Sequence, residues 1–199
     1  MSEPNSATPL LVLASGSPFR RAQLAQLGVE FSAVSADIDE TAWPQESPQA
    51  LVTRLSRSKA EALAGAHPRA LIIGADQVAV VEGDIVGKPG TRERARQQLA
   101  AAAGRELLFL SGLCVLDTRD GSVREATVPI RVRLRALDPD TIARYLEHED
   151  VLGCAGSLRS EGLGIALCES IESADPSALI GLPLIALASM LRQCGLRLP

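Results

Sequence analysis

The sequence predicts an α/β fold, a mixed β-sheet flanked by helices, on three observations. Strand-like and helix-like patterns alternate along the 199 residues, as expected when helices cover a sheet. Two long strand-like runs, LLFLSGLCVLD and VPIRVRLRAL, follow one another around a TRDGS turn. Strands joined by so short a turn run antiparallel, so the sheet is not purely parallel. No repeat or interdomain linker breaks the pattern, and the length suits one domain with a real core. Residues 1–9, MSEPNSATP, are polar and read as a disordered tail, leaving residues 10–199 as a single domain.

Taken in order, LLVLA (10–14) reads as a short buried strand. Ser17 is a good N-cap with Pro18 at the first helical position, and the helix carries Leu24 and Leu27 before stopping at Gly28. FSAVS is a second strand, and the acidic DIDETAWPQE is a loop. Ser47-Pro48 repeats the capping signal and opens a helix to about Ala66, with Leu51, Val52, Leu55 and Leu63 at helical spacing. ALIIGADQVAVV is the strongest strand signal; EGD turns the chain, and IVGKPG is a short extended piece ending in a loop. Thr91 opens a helix to about Ala103. In the second long strand Ile130, Val132 and Leu134 alternate with Arg131, Arg133 and Arg135, one face buried and one wet. Asp138-Pro139 caps a helix ending near Glu149, VLGCAGSLRSEGLG is a Gly-rich loop, GIALCES is a strand, and residues 184–193 form a closing helix.

Composition narrows the function classes. Three Phe, one Trp and one Tyr leave the core to Leu, Ala, Val and Ile. A net charge of -4 argues against general nucleic-acid binding, but not against a small anionic ligand, which responds to local charge. Cys114, Cys154, Cys168 and Cys194 are far apart and form no CxxC pair. They read as reduced thiols of a cytosolic protein, not a zinc site or a disulfide framework. No signal peptide is evident, and LIGLPLIALASML is too short for a bilayer and broken by Pro183, so no membrane association is expected. The chain has eighteen arginines but only two lysines, Lys59 and Lys88. Either the two are there by chance, or they stand where a compact ammonium is needed and a planar fork will not do; their surroundings decide.

Several stretches can carry chemistry. In ASGSPFRR a strand gives way to a small-residue loop and a capped helix, an arrangement that turns backbone N–H groups toward an anion. Ser15, Gly16 and Ser17 keep the approach open, while Arg20 and Arg21 add charge; an ordinary helix start is the plainer alternative. In GADQV, Asp76 lies inside an apolar strand, which is costly unless it is paired, metal-bound or protonated. The small residues before it indicate close approach by another group, and a buried structural acid remains the alternative. With Lys88 in the GKPG loop, Lys59 on the second helix and Glu40 in the acidic loop, Arg20 and Asp76 complete a set suited to a polyphosphate. Cations would neutralise it, and carboxylates would hold a divalent metal or activate water. No GxSxG occurs, and His67 and His148 read as helix-end residues, so a serine hydrolase is not expected.

ASGSPFRR, DIDET, SKA, GADQV, GKP, CAGSLRSEGLG and LIGLPL occur in this order over nearly the whole chain. This set resembles the Maf family of nucleoside triphosphate pyrophosphatases. The resemblance implies two lobes around a deep nucleotide-binding cleft, a divalent metal (Mg²⁺ or Mn²⁺) and a homodimer. It also implies water attack at the α-phosphorus of a nucleotide. By motif it makes Asp76 the proton acceptor, puts Arg20, Lys59 and Lys88 on the phosphates, and sets Glu40 beside Asp76 at the metal and the reacting water. Where many members have Arg, Thr and Gln, this chain has Phe19, Gln77 and Glu161. Those three resemble the subfamily acting on 7-methyl-GTP, although its aromatic is commonly Trp. The chemistry agrees: N7 methylation makes guanine cationic, Phe19 can stack on it, and Glu161 can accept from its N1–H and amine while offsetting the charge. A dTTP, UTP or other modified-nucleotide pyrophosphatase, and a non-catalytic nucleotide-binding regulator of cell division, are the competing expectations.

Overall fold

The apolar run ALIIGADQVAVV forms β3 (Ala70–Val81), the strand around which the sheet is arranged. In the computed structural model, which describes residues 9–198, its companions are β1 (Leu10–Leu13), β2 (Ser32–Ala33), β4 (Asp84–Val86), β5 (Glu106–Asp117), β6 (Ser122–Leu134) and β7 (Cys168–Glu172). The order is β2-β1-β3-β5-β6-β7, with β4 paired to β3 off that path. β1 runs parallel to β2 and β3, whereas β3, β5, β6 and β7 pair antiparallel in turn. The sheet is mixed, as the TRDGS turn predicted. All but one residue of the expected tail lie outside the described residues.

The helices are α1 (Pro18–Ala25), α2 (Pro48–Ala62), α3 (Arg92–Ala102), α4 (Pro139–His148) and α5 (Leu184–Gln193). Ser17, Ser47, Thr91 and Asp138 each cap one of the first four, the side chain accepting the N–H three residues on. Four expectations need correction, the first being the second helix, which ends at Ala62 and is followed by a separate 3₁₀ turn over Ala64–Ala66. FSAVS pairs only through Ser32 and Ala33, opposite Val12 and Leu13 at the end of β1. α1 ends at Ala25, and the turn runs on to Gly28, whose φ of 66° suits glycine. In GIALCES the strand begins at Cys168; residues 163–167 form a 3₁₀ turn, because Gly164 packs against the Arg159 backbone and cannot extend.

The period of two along β3 sends alternate residues to opposite faces. On one face Ile72, Val78 and Val80 meet α2 through two small cores. On the other, Leu71, Ile73 and Ala75 join α1 and α5, while Ala79 and Val81 join α3 and α4. Gln77 falls between those two cores, which form the walls of the expected lobes. The expected alternation in β6 also holds: Ile130, Val132 and Leu134 are buried while Arg131 and Arg133 are exposed. Arg131 reaches across to Glu106 at 2.8 Å, an ordinary sheet-surface pair.

Two glycines set how closely α2 lies on the sheet. A Cβ at Gly74 would overlap the Ser56 carbonyl, and one at Gly112 would overlap that of Val52. The small residues before Asp76 therefore mark the approach of a helix backbone. Gly74→Ala should destabilise the protein by about 2–3 kcal/mol through overpacking, read as a lower denaturation midpoint, while Gly87→Ala, with open space around it, should not. Equal midpoints would sink this account of the α2 contact.

Candidate active site

The cleft opens at a gap in the sheet. Along one edge of β3, β1 pairs with residues 70–73 and β4 with residues 79–81. Residues 74–78 have no strand neighbour on that edge among the described residues. Groups from both faces reach the gap, which lies at the carboxyl end of β1, a common place for ligands in open α/β sheets. A cavity of about 430 Å³ fills it. Ser15, Gly16, Ser17, Phe19, Arg20, Glu40, Lys59, Gln77, Lys88 and Glu161 all line it. Asp76 does not line it but lies just beneath, 7% exposed.

Asp76 meets the cleft through Lys59. The lysine Nζ lies 2.6 Å from Asp76 Oδ1 and 2.7 Å from Glu40 Oε1. The ammonium and the Asp76 carboxylate are buried while Glu40 is half exposed. This contact follows from the close seating of α2. Asp76 is two residues beyond Gly74 on the same face of β3, and Lys59 is three residues beyond Ser56 on α2. Burial tends to raise the Glu40 carboxyl, but the Lys59 hydrogen bond and charge, with Lys88 and Arg20, hold it below the usual range. All three cations therefore act on one carboxylate, a convergence that spacing in the chain could not reveal.

The loop after β1 is partly self-satisfied. Ser15 Oγ accepts the Ser17 N–H at 3.1 Å, and Ser17 Oγ accepts that of Arg20 at 3.4 Å. The Ser17 amide is therefore spent, while those of Gly16 and Phe19 have no protein acceptor among the described residues. Arg20 Nε donates to the Gly181 carbonyl at 2.9 Å, aiming the guanidinium into the cleft. Burial lowers its pKa, against the opposing pull of Asp76 and Glu40. Arg21 does not join; it lines a separate groove with Phe31, because adjacent helical residues face different ways.

At the other functional group, Gln77 Nε2 donates to Ser111 Oγ (3.0 Å) and to the carbonyls of Ala178 (2.8 Å) and Leu179 (3.0 Å). Its nitrogen is thereby turned to the protein. Phe19 is half-buried, with the Arg159 guanidinium carbon 5.4 Å from its ring centroid. Arg159 Nε lies 3.5 Å from Glu161 Oε1. Arg159 escaped notice in the sequence, although its place two residues before Glu161 in the same motif was the available signal. Cys154 also lines the cleft, but burial pushes its thiol up to about 11, which argues against a thiolate nucleophile. Among the described residues no helix is long and apolar enough to cross a membrane.

The loop that carries Glu40 is clamped from α2. Arg54 forms two 2.7 Å bonds to Glu46, donates to the Thr41 carbonyl at 3.0 Å and lies 4.2 Å from the Trp43 ring centroid. The Arg54 hydrogen bond draws Glu46 down from 4.5 to about 2. Its folded value is depressed, so the stabilisation is complete above the ordinary carboxylate value and fades as pH falls toward 2. Trp43 is the sole tryptophan. Its fluorescence should therefore change through that acid range, and the same titration in Glu46→Gln would disprove the assignment.

A family model described as Maf-like protein matches residues 10–194. Among curated proteins, the 7-methyl-GTP pyrophosphatase of Nitrosococcus oceani is 49% identical, over 98% of this chain and 98% of that one. The 7-methyl-GTP pyrophosphatase of Alcanivorax borkumensis is 51% identical over 96% of this chain and 98% of its own. That of Pseudomonas aeruginosa is 50% identical over 96% and 100%.

Proposed function

The chain belongs to the Maf-like protein family, and on that premise we propose that it hydrolyses 7-methyl-GTP to 7-methyl-GMP and pyrophosphate. The observation that carries this reading is a single cleft with two chemically distinct sets of groups. Three cations surround a pair of carboxylates, and an aromatic ring shares the cleft with a carboxylate. The first set suits a triphosphate, the second a cationic purine.

In the proposed reaction, Arg20, Lys59 and Lys88 draw in the triphosphate and offset the charge that repels a nucleophile from the α-phosphorus. Amides of the loop after β1 take further phosphate oxygens. The incoming oxygens compete with Asp76 and Glu40 for the Lys59 ammonium. Asp76, relieved of that pairing, accepts a proton from water as its oxygen bonds to the α-phosphorus and the bond to the bridging oxygen breaks. Pyrophosphate leaves, its added charge stabilised by the same cations. Phe19 stacks on the methylated base, and Glu161 accepts from its N1–H and amine.

A divalent cation, Mg²⁺ or Mn²⁺, fits Asp76 and Glu40. Both offer hard oxygens, and among the described residues no cluster of three or more ligating side chains occurs. Such an ion would take its remaining ligands from phosphate and water, as Mg²⁺ commonly does. When bound, it would supply charge neutralisation and polarisation of phosphoryl oxygens.

Pyrophosphate release from 7-methyl-GTP, GTP, UTP and dTTP, with Mg²⁺ and with Mn²⁺, tests the reading. The methylated nucleotide should be preferred, and Phe19→Arg should reduce that preference about 3- to 30-fold. Preference for UTP or dTTP would overturn the base assignment. Asp76→Asn should lower turnover by about 10²–10⁴-fold while nucleotide still binds; equal inactivity of wild type and variant would favour a non-catalytic regulator.

A further inference from the structure

Behind Glu161, outside the cleft lining itself, lies a charged group not used above. Glu149 follows α4 directly, and its side chain is 8% exposed. Its Oε1 accepts from Arg159 Nη1 at 2.5 Å, and its Oε2 accepts the Leu163 N–H at 2.7 Å. Gly162 makes room for it, since a Cβ there would overlap the carboxylate. Arg159 thus stands between two carboxylates but hydrogen-bonds only Glu149. Its Nε, 3.5 Å from Glu161, is buried without a hydrogen-bond partner.

We propose that Glu149 is a positioning residue that sets the charge of the base pocket, holding Arg159 so that Glu149, Arg159 and Glu161 together keep one net negative charge for a cationic purine. This rests on the 7-methyl-GTP reading. A guanidinium and an N7-methylated guanine make the same demand: both are flat, delocalised cations that seek an aromatic face and a carboxylate. Arg159 already lies near Phe19 and Glu161, so an unanchored Arg159 would compete with the substrate for both. Engaged by Glu149, it is electrically neutralised. Two carboxylates and one guanidinium leave a single negative charge, matching the one positive charge of the methylated base. Without Glu149 the remaining pair is neutral and the pocket loses its reason to prefer a cation.

The test compares 7-methyl-GMP with GMP in binding, and 7-methyl-GTP with GTP in turnover, for wild type, Glu149→Gln, Arg159→Met and the double variant. Glutamine retains an acceptor for the Leu163 N–H. Glu149→Gln should lower the methyl preference about tenfold or more, through KM and binding, with kcat on 7-methyl-GTP nearly unchanged. Adding Arg159→Met should restore the preference, because no cation is left to occupy Glu161. A purely structural role for Glu149 predicts no such rescue. Arg159→Met alone does not require Glu149→Gln to fold, and should keep the preference at or above the wild-type value. An unchanged preference in Glu149→Gln, loss without rescue in the double variant, or loss in Arg159→Met would each overturn the proposal. A wild type without any preference for the methylated nucleotide would instead remove the substrate reading beneath it.

Discussion

The cleft depends on one ammonium group shared between two carboxylates. Lys59 reaches Asp76 on the sheet and Glu40 on a loop, joining three separate stretches of chain. A buried aspartate is tolerable in an apolar strand only with such a partner. The partner arrives because Gly74 and Gly112 let the backbone of α2 descend onto β3 and β5. The helix contact and the ion pair are parts of one arrangement: a methyl group at either glycine would lift the helix and draw Lys59 away. An ammonium suits this place better than a guanidinium because a compact donor can face several oxygens from a narrow space.

The gap beside β3 explains how so many different groups meet. A continuous sheet would keep its two faces apart, with Asp76 on one and Gln77 on the other. Since β1 and β4 stop short of each other along the same edge, both faces communicate there. The cores on either side give the opening rigid walls. One joins α1 and α5, the other α3 and α4. Gln77 ties these walls through the segment at Ala178 and Leu179.

Charge is distributed unevenly along the cleft. Around Glu40 the cations outweigh their surroundings, as suits a polyphosphate. Near Phe19, Arg159 is flanked by two carboxylates, as suits a cation. The polar clamp of Arg54 holds residues 41–46, while Ile38 at the start of the Glu40 loop packs on the apolar cluster between α2 and the sheet. Residues 41–46 therefore depend on hydrogen bonds and charge, whereas β3 and β5 depend on apolar burial.

Local patterns in the sequence determined much of this protein. The four side-chain helix caps, the antiparallel pair around TRDGS, the alternation in β6 and the isolated aspartate all state short-range rules, and the structure follows them. The motif set likewise selected ten residues that line one cleft, with Asp76 beneath them. Tertiary structure alone decided that Lys59 bridges Asp76 and Glu40, that Arg21 faces elsewhere, and that Arg159 stands between Glu149 and Glu161. Residues 163–167 turned where a strand was expected, because packing of Gly164 on Arg159 outweighed the local apolar pattern. The division has a physical cause. Capping and alternation act over a few residues, whereas ion pairing and close helix approach depend on distances through space between segments far apart in the chain.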